Sequence, residues 1–206
     1  DDGTPPVGDA TERAHERPIQ ASSTTWIYTA DQANDGDVTT YWESGAGAYP
    51  ATLSTTLSPQ VDLDRVVLKL NPASAWASRT QTLSIEGRAQ GSTSFTTLKA
   101  SASYTFSPSS QNTVTIPVTG SGIEEVRLRF TANTGATGAQ VAEFEVWGIP
   151  APTPNLAVSA VTSSPTSPTD AQQLTLGATV TNTGTAASAA TTVAFSLGGD
   201  VVGSAN

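Results

Sequence analysis

Short apolar runs alternate with polar residues at a spacing of two along most of the chain, and turn-forming residues interrupt them every few positions. Val66, Leu68 and Leu70 share one side of the stretch 65–70, Leu83 and Ile85 one side of 80–86, and Val114, Ile116 and Val118 one side of 112–118. Residues 53–57, 95–98 and 104–106 read the same way, as does 126–130, where Arg127 and Arg129 oppose the apolar positions. Phe144 and Val146 close the series. Period-two alternation marks half-buried strands, and many short, turn-bounded ones mark antiparallel sheets with one wet face each. About eight such strands predict an all-β, antiparallel jelly-roll β-sandwich. Trp42 and Trp147 are expected to plug its open ends.

The pattern breaks at Gly148-Ile149-Pro150-Ala151-Pro152-Thr153-Pro154, where alternating prolines remove ladder donors and stiffen the chain into a spacer. Residues 1–14, polar and carrying Thr4-Pro5-Pro6, read as a linker arriving from an earlier domain. The predicted organisation is therefore a linker at 1–14, a sandwich at 15–149, a proline-rich linker at 150–154 and a second unit at 155–206. In that unit 156–158, 174–182 and 192–197 alternate as three strands. It resembles the opening half of a CARDB-type, immunoglobulin-like domain. Such a sandwich needs roughly seven strands over about 100 residues, so a partial immunoglobulin-like β-sandwich is expected.

Apolar residues make up 37% of the chain and charged residues only 13%, which suits strands and turns better than helices. A net charge of −9 repels phosphate backbones and anionic lipid, and the few Lys and Arg form no stripe, so neither nucleic-acid binding nor membrane insertion is expected. No apolar run reaches the length of a membrane span. With no cysteine, disulfides and thiolate metal sites are excluded. Asp1 begins no basic or apolar leader, and the chain is read as secreted, its signal peptide removed.

Oxygen-bearing side chains crowd Asn34-Asp35-Gly36-Asp37-Val38-Thr39-Thr40-Tyr41-Trp42, and Ala142-Glu143-Phe144-Glu145-Val146-Trp147-Gly148 brings a carboxylate to the start of the last apolar strand. A hard cation such as calcium takes six to eight oxygens, and a glycine-containing turn aims several of them inward. Asp35, Asp37, Thr40 and Glu143 have the right chemistry. Taken alone, Asp-Gly-Asp is better explained as a solvated Asx turn, since such pairs are among the commonest turn signals, and the spacing does not fit an EF-hand.

Taken with Ala21-Ser22-Ser23, Arg65-Val66-Val67-Leu68-Lys69-Leu70 and Val126-Arg127-Leu128-Arg129-Phe130, these two segments resemble a discoidin domain, the coagulation-factor C-type module whose bacterial members include the family 32 carbohydrate-binding modules. The resemblance runs over roughly residues 15 to 149. It implies a structural Ca2+ held by the side chains of Asp35, Asp37, Thr40 and Glu143 and by the backbone carbonyls of Gln32 and Ala142. An ion tying an early turn to the last strand would stand in for a disulfide.

Catalysis finds little support. His15, the single histidine, lies in a charged stretch before the first strand, and no nucleophile elbow is present. Glu124 and Glu125 point to opposite faces. Glu143 and Glu145 share a face, but Glu143 is claimed by the candidate ion and Glu145 is read as a strand-surface residue with no apolar wall. Aromatic rings in loops are better candidates, because sugars lay their C–H faces on rings and give their hydroxyls to planar donors. Trp26 and Tyr28 precede the acidic turn, Trp76 and Arg79 lie in the loop 71–79, and Tyr49 follows a glycine-rich stretch. These five residues are the candidate carbohydrate site. The expected function is a non-catalytic carbohydrate-binding module tethered to a polysaccharide-active enzyme, with polysaccharide or oligosaccharide as partner. Protein or cell-surface adhesion and a structural spacer are the alternatives.

Overall fold

Two long strands pass from one layer of a sandwich into the other and thereby build both. The computed structural model describes residues 9–206, and most of the linker expected at 1–14 lies outside that range. In chain order the first unit contains β1 (Thr11–Glu12), β2 (Ile19–Ala21), β3 (Trp42–Glu43), β4 (Ala51–Lys69), β5 (Arg79–Ala89), β6 (Thr96–Phe106), β7 (Thr113–Asn133), β8 (Gln140–Val141) and β9 (Glu143–Pro150). The early half of β4 pairs with β2 and with the late half of β7, which continues to β5 and β6. The late half of β4 pairs with β9 and with the early half of β7, and β9 pairs with β1. All pairs are antiparallel.

Strands expected at 53–57 and 65–70 are thus one strand, and so are those at 112–118 and 126–130. Register shifts between Thr56 and Val61 and between Leu63 and Arg65 let β4 bend without leaving the extended conformation. Pro59, which has no N–H to give, falls in the first of these shifts. In β7 the bend lies near Gly120 and Gly122, beside Ile123. Likewise the strands expected at 95–98 and 104–106 are, from Thr96 on, the single strand β6.

The core lies between the layers. Leu53, Leu68, Leu83, Ile85, Ile116, Leu128, Phe130, Phe144 and Val146 are buried there, as the alternation predicts. Trp42 is fully buried, its ring 6.0 Å from Phe130. Trp147 corrects the expectation. With Phe144 and Val146 inward, parity turns Trp147 outward, where it is half-buried with the Arg65 guanidinium 4.4 Å from its ring centroid and its Nε1 donating to Glu145.

The expected first linker also ends sooner than residue 14. Thr11 and Glu12 pair with Gly148 and Trp147, and Ala14 is fully buried. The Glu12 carboxylate accepts N–H bonds from Ala14 (2.6 Å), His15 (2.8 Å) and Val146 (3.2 Å), which fixes the incoming chain to β9. At the other end Ala151 still donates to the Gln60 carbonyl, and the first compact unit closes there.

The second unit, residues 152–206, is two antiparallel hairpins, β10 (Leu156–Ser164) with β11 (Thr175–Asn182), and β12 (Val193–Leu197) with β13 (Asp200–Ala205). β13 is an addition to the three strands expected. Gly198 and Gly199, both at positive φ, form the two-residue turn that joins it to β12, and a glycine pair is the sequence signal for such a turn. Between the hairpins lies an apolar hollow of about 580 Å³ lined by Leu174, Leu176, Phe195 and Val202, and Val161, Leu197 and Val201 remain exposed.

Candidate functional site

The acidic turn is built by a 3₁₀ turn over Ala30–Ala33, a buried Asn34 and Gly36 at φ +84°, a conformation that glycine adopts at no steric cost. The Asn34 amide donates to the carbonyls of Ala14 (2.6 Å) and Arg17 (3.0 Å), so the loop is anchored from below. Glu143 opens β9 at 5% exposure, and its Oε1 accepts the Gly36 N–H at 2.9 Å.

Around that contact the oxygens converge. Thr40 Oγ1 donates to Asp35 Oδ2 at 2.7 Å and lies 2.9 Å from the Asp37 carbonyl, while Asp35 Oδ1 accepts the Asp37 N–H. The Asp37 carboxylate is engaged elsewhere, by the Thr39 hydroxyl and N–H, and these bonds hold its pKa below the usual carboxylate value. Asp37 therefore offers this cluster its carbonyl. Burial pushes the Glu143 carboxyl up to about 7; the Gly36 N–H pulls it back down, and the charge of Asp35 raises it further.

A buried acid with too few hydrogen bonds, faced by a second carboxylate, a hydroxyl and a carbonyl, is an oxygen set that suits a hard cation. Among the described residues, no three His, Cys, Asp or Glu side chains group as metal ligands, so the fit rests on neutral oxygens beside two carboxylates. Ala142 is buried and its N–H donates to Lys69. The Gln32 side-chain amide, with its nitrogen turned toward them, reaches the carbonyls of Ile27 (3.2 Å) and Tyr41 (2.8 Å).

That amide leads to the aromatic residues. Trp26 packs edge-on against Tyr28, with centroids 6.0 Å apart; Tyr28 stacks on Tyr41 at 4.3 Å; and Tyr41 meets Trp76 edge-on at 4.7 Å. The expected residues Trp26, Tyr28 and Trp76 are therefore brought together, and Tyr41, which sequence reasoning missed, is the ring that joins them. Its signal was available in its neighbour, because with Trp42 buried, parity sends Tyr41 outward. Burial, with a hydrogen bond to Tyr28, raises the Tyr41 phenol pKa.

Arg79 joins the cluster differently from the expectation. Its guanidinium stacks 4.7 Å from the Trp76 ring centroid, donates through Nε and Nη2 to the Trp76 carbonyl, and through Nη1 to Gln140 Oε1 at 2.6 Å. Gln140 Nε2 in turn donates to Glu43 Oε2 at 2.9 Å. Most of the donor capacity of Arg79 is spent on holding Trp76. Tyr49 does not reach these rings' faces. It packs on the hydrophobic core with its hydroxyl enclosed and, among the described residues, without a partner, and burial raises its pKa.

Residues 18–144 match the family model of the F5/8 type C domain, and the chain belongs to that family. Residues 153–206 match the CARDB model. No curated protein matches. Several solved structures do. One is chitosan-binding module 1 of a chitosanase/glucanase from Paenibacillus sp. IK-5, at 27% identity over 67% of this chain and 99% of that one, with a TM-score of 0.51. Another is the family 32 carbohydrate-binding module of NanJ from C. perfringens, in complex with galactose, at 20% identity over 67% and 98%, with a TM-score of 0.53. A third is the family 32 module of AlyQ in complex with 4,5-unsaturated mannuronic acid, at 16% identity over 66% and 97%, with a TM-score of 0.53. These three structures are named as binding modules.

Proposed function

We propose that residues 9–151 form a carbohydrate-binding module that holds a secreted, polysaccharide-active enzyme on its substrate. The observation that carries this reading is the continuous run of rings Trp26, Tyr28, Tyr41 and Trp76, set beside a stiff acidic loop, on a fold whose solved neighbours include modules bound to sugars. Aromatic faces supply apolar contact to pyranose rings at little entropic cost, and the Tyr hydroxyls supply polar partners. Single-site affinity is expected between about millimolar and micromolar, since one sugar offers few atoms. Neighbouring modules would raise the avidity.

Asp35, Thr40, Glu143 and the Asp37 carbonyl would hold a structural Ca2+, with the carbonyls of Gln32 and Ala142 completing the set. Bound there, the ion supplies charge neutralisation to Glu143 and stiffens the loop that leads into Tyr41.

A pull-down on insoluble chitosan, pectin and alginate gels, with calorimetry on galactose and on chitosan oligosaccharides, tests the reading. Retention on at least one polysaccharide, lost in Trp26→Ala together with Trp76→Ala, is the expected result. Silence across the panel, with pelleting on anionic vesicles instead, would favour a membrane-adhesion role and sink this one.

A further inference from the structure

Trp26 combines two costs that folding does not repay. It is 80% exposed, with Ile27 beside it at 54%, and its backbone φ is +50°. The Tyr28 N–H donates to the Thr25 carbonyl at 3.0 Å and the two residues form an isolated antiparallel bridge, so Trp26 and Ile27 are the central pair of a tight turn. Thr25 fixes the base of that turn, its N–H bonded to the Glu43 carbonyl and its hydroxyl to the Ser44 carbonyl. Positive φ at the first central position alone is the pattern of a turn that favours glycine there. A bulky L-residue in that conformation is strained, and the chain gains no burial from it.

The ring geometry indicates what the exposed indole serves. Tyr28 and Tyr41 lie 20° from parallel and 4.3 Å apart, so each spends one face on the other. Trp26 stands at 82° to Tyr28, and Trp76 at 89° to Tyr41, with the Arg79 guanidinium over the Trp76 ring. The two indoles thus touch different tyrosines and make no ring contact with each other, so they are separate walls, and a single pyranose ring, about as broad as one indole, lies on one of them at a time.

We infer that the site has two stacking subsites, an inner one at Trp76 fixed by Arg79 and an outer one at Trp26 held out by its strained turn, and that the ligand is an oligosaccharide spanning both. The inference rests on the carbohydrate reading. It specifies a glycan segment several units long as the ligand class, with an isolated terminal sugar filling one wall only.

Calorimetry with chitosan and alginate oligosaccharides from monosaccharide to hexasaccharide tests it, on the wild type, Trp26→Ala and Trp26→Gly, with the melting temperature of each. Affinity should rise with length by on the order of tenfold, and both substitutions should flatten that rise. Trp26→Gly should melt higher than Trp26→Ala, because glycine relieves the positive φ. A monosaccharide bound as tightly as the hexasaccharide, or a length dependence intact in Trp26→Ala, overturns the two-subsite inference and leaves glycan binding standing. A Trp26→Gly melting temperature below that of Trp26→Ala overturns the strain argument. If the wild type binds no oligosaccharide of either series and is not retained on chitosan, pectin or alginate, the carbohydrate reading itself fails.

Discussion

Glu143 and Gly36 are 107 positions apart in sequence and joined by one hydrogen bond, from the glycine N–H to the buried carboxylate. The bond ties the acidic turn to the first residue of the last strand of the sandwich. It also leaves most of the carboxylate's accepting capacity unfilled, which is why the charge is uncomfortable there.

Removing divalent cation should therefore lower the melting temperature, and calcium should restore it. A ligand at a hundredfold excess over its dissociation constant contributes about 2.7 kcal/mol. In Asp35→Ala and Glu143→Ala the melting temperature should become insensitive to chelator. Identical melting curves for the wild type with and without excess chelator would remove the cation from the account.

Stability without the cation should fall as pH rises from about 4.5 to about 7. The folded-state pKa of Glu143 lies above its unfolded value, so the folded state binds the extra proton across that window and loses stability as the proton leaves. The effect is on the order of 3 kcal/mol at most. Urea titrations at several pH values in chelator should show it, and Glu143→Gln, which stays neutral, should flatten the profile. A wild-type profile already flat in chelator contradicts the assignment.

Glu12→Ala should destabilise the sandwich by roughly 1–3 kcal/mol, since the N–H groups of Ala14, His15 and Val146 lose their shared acceptor. Denaturant midpoints compared with Glu16→Ala, at an exposed position nearby, isolate the effect. Equal midpoints for the two variants would mean that water replaces the carboxylate freely.

Arg79→Lys keeps the charge and loses both the planar stack and the paired donation to the Trp76 carbonyl. Glycan affinity should drop severalfold while the melting temperature moves little. In a Trp26→Phe background, where Trp42 and Trp147 contribute alike with or without the Arg79→Lys change, the difference in fluorescence between the Arg79→Lys variant and its parent should report a more mobile Trp76 ring. Unchanged affinity and fluorescence would show that the loop 71–79 holds Trp76 without help.

Much of the core was legible because period two is a local signal. Leu83 and Ile85 had only to alternate, and they are buried as read. The same parity, followed strictly, places Trp147 outside β9 and Tyr41 outside the segment containing Trp42, so Trp147 was misplaced by weighing ring size above position, and Tyr41 was passed over for want of the same rule. Continuity was harder to read: Pro59 and Gly120 look like strand breaks, but in this fold they are where one strand bends from layer to layer. The stacking of Arg79 on Trp76, three positions away, was legible from their nearness in the chain, but its bond to Gln140, 61 positions away, was not, because only the folded sheet brings the two together. Asp35, Asp37 and Thr40 are joined by hydrogen bonds and Glu143 reaches the same turn through the Gly36 N–H, but which oxygen Asp37 presents depends on the local competition from Thr39.

Because β4 and β7 each run through both layers, neither layer can peel away while the other stays intact. The sandwich should melt as one cooperative block, its slowest-exchanging amides shared between the two faces. A force applied at the aromatic end would then be resisted by the entire block and not by one layer alone.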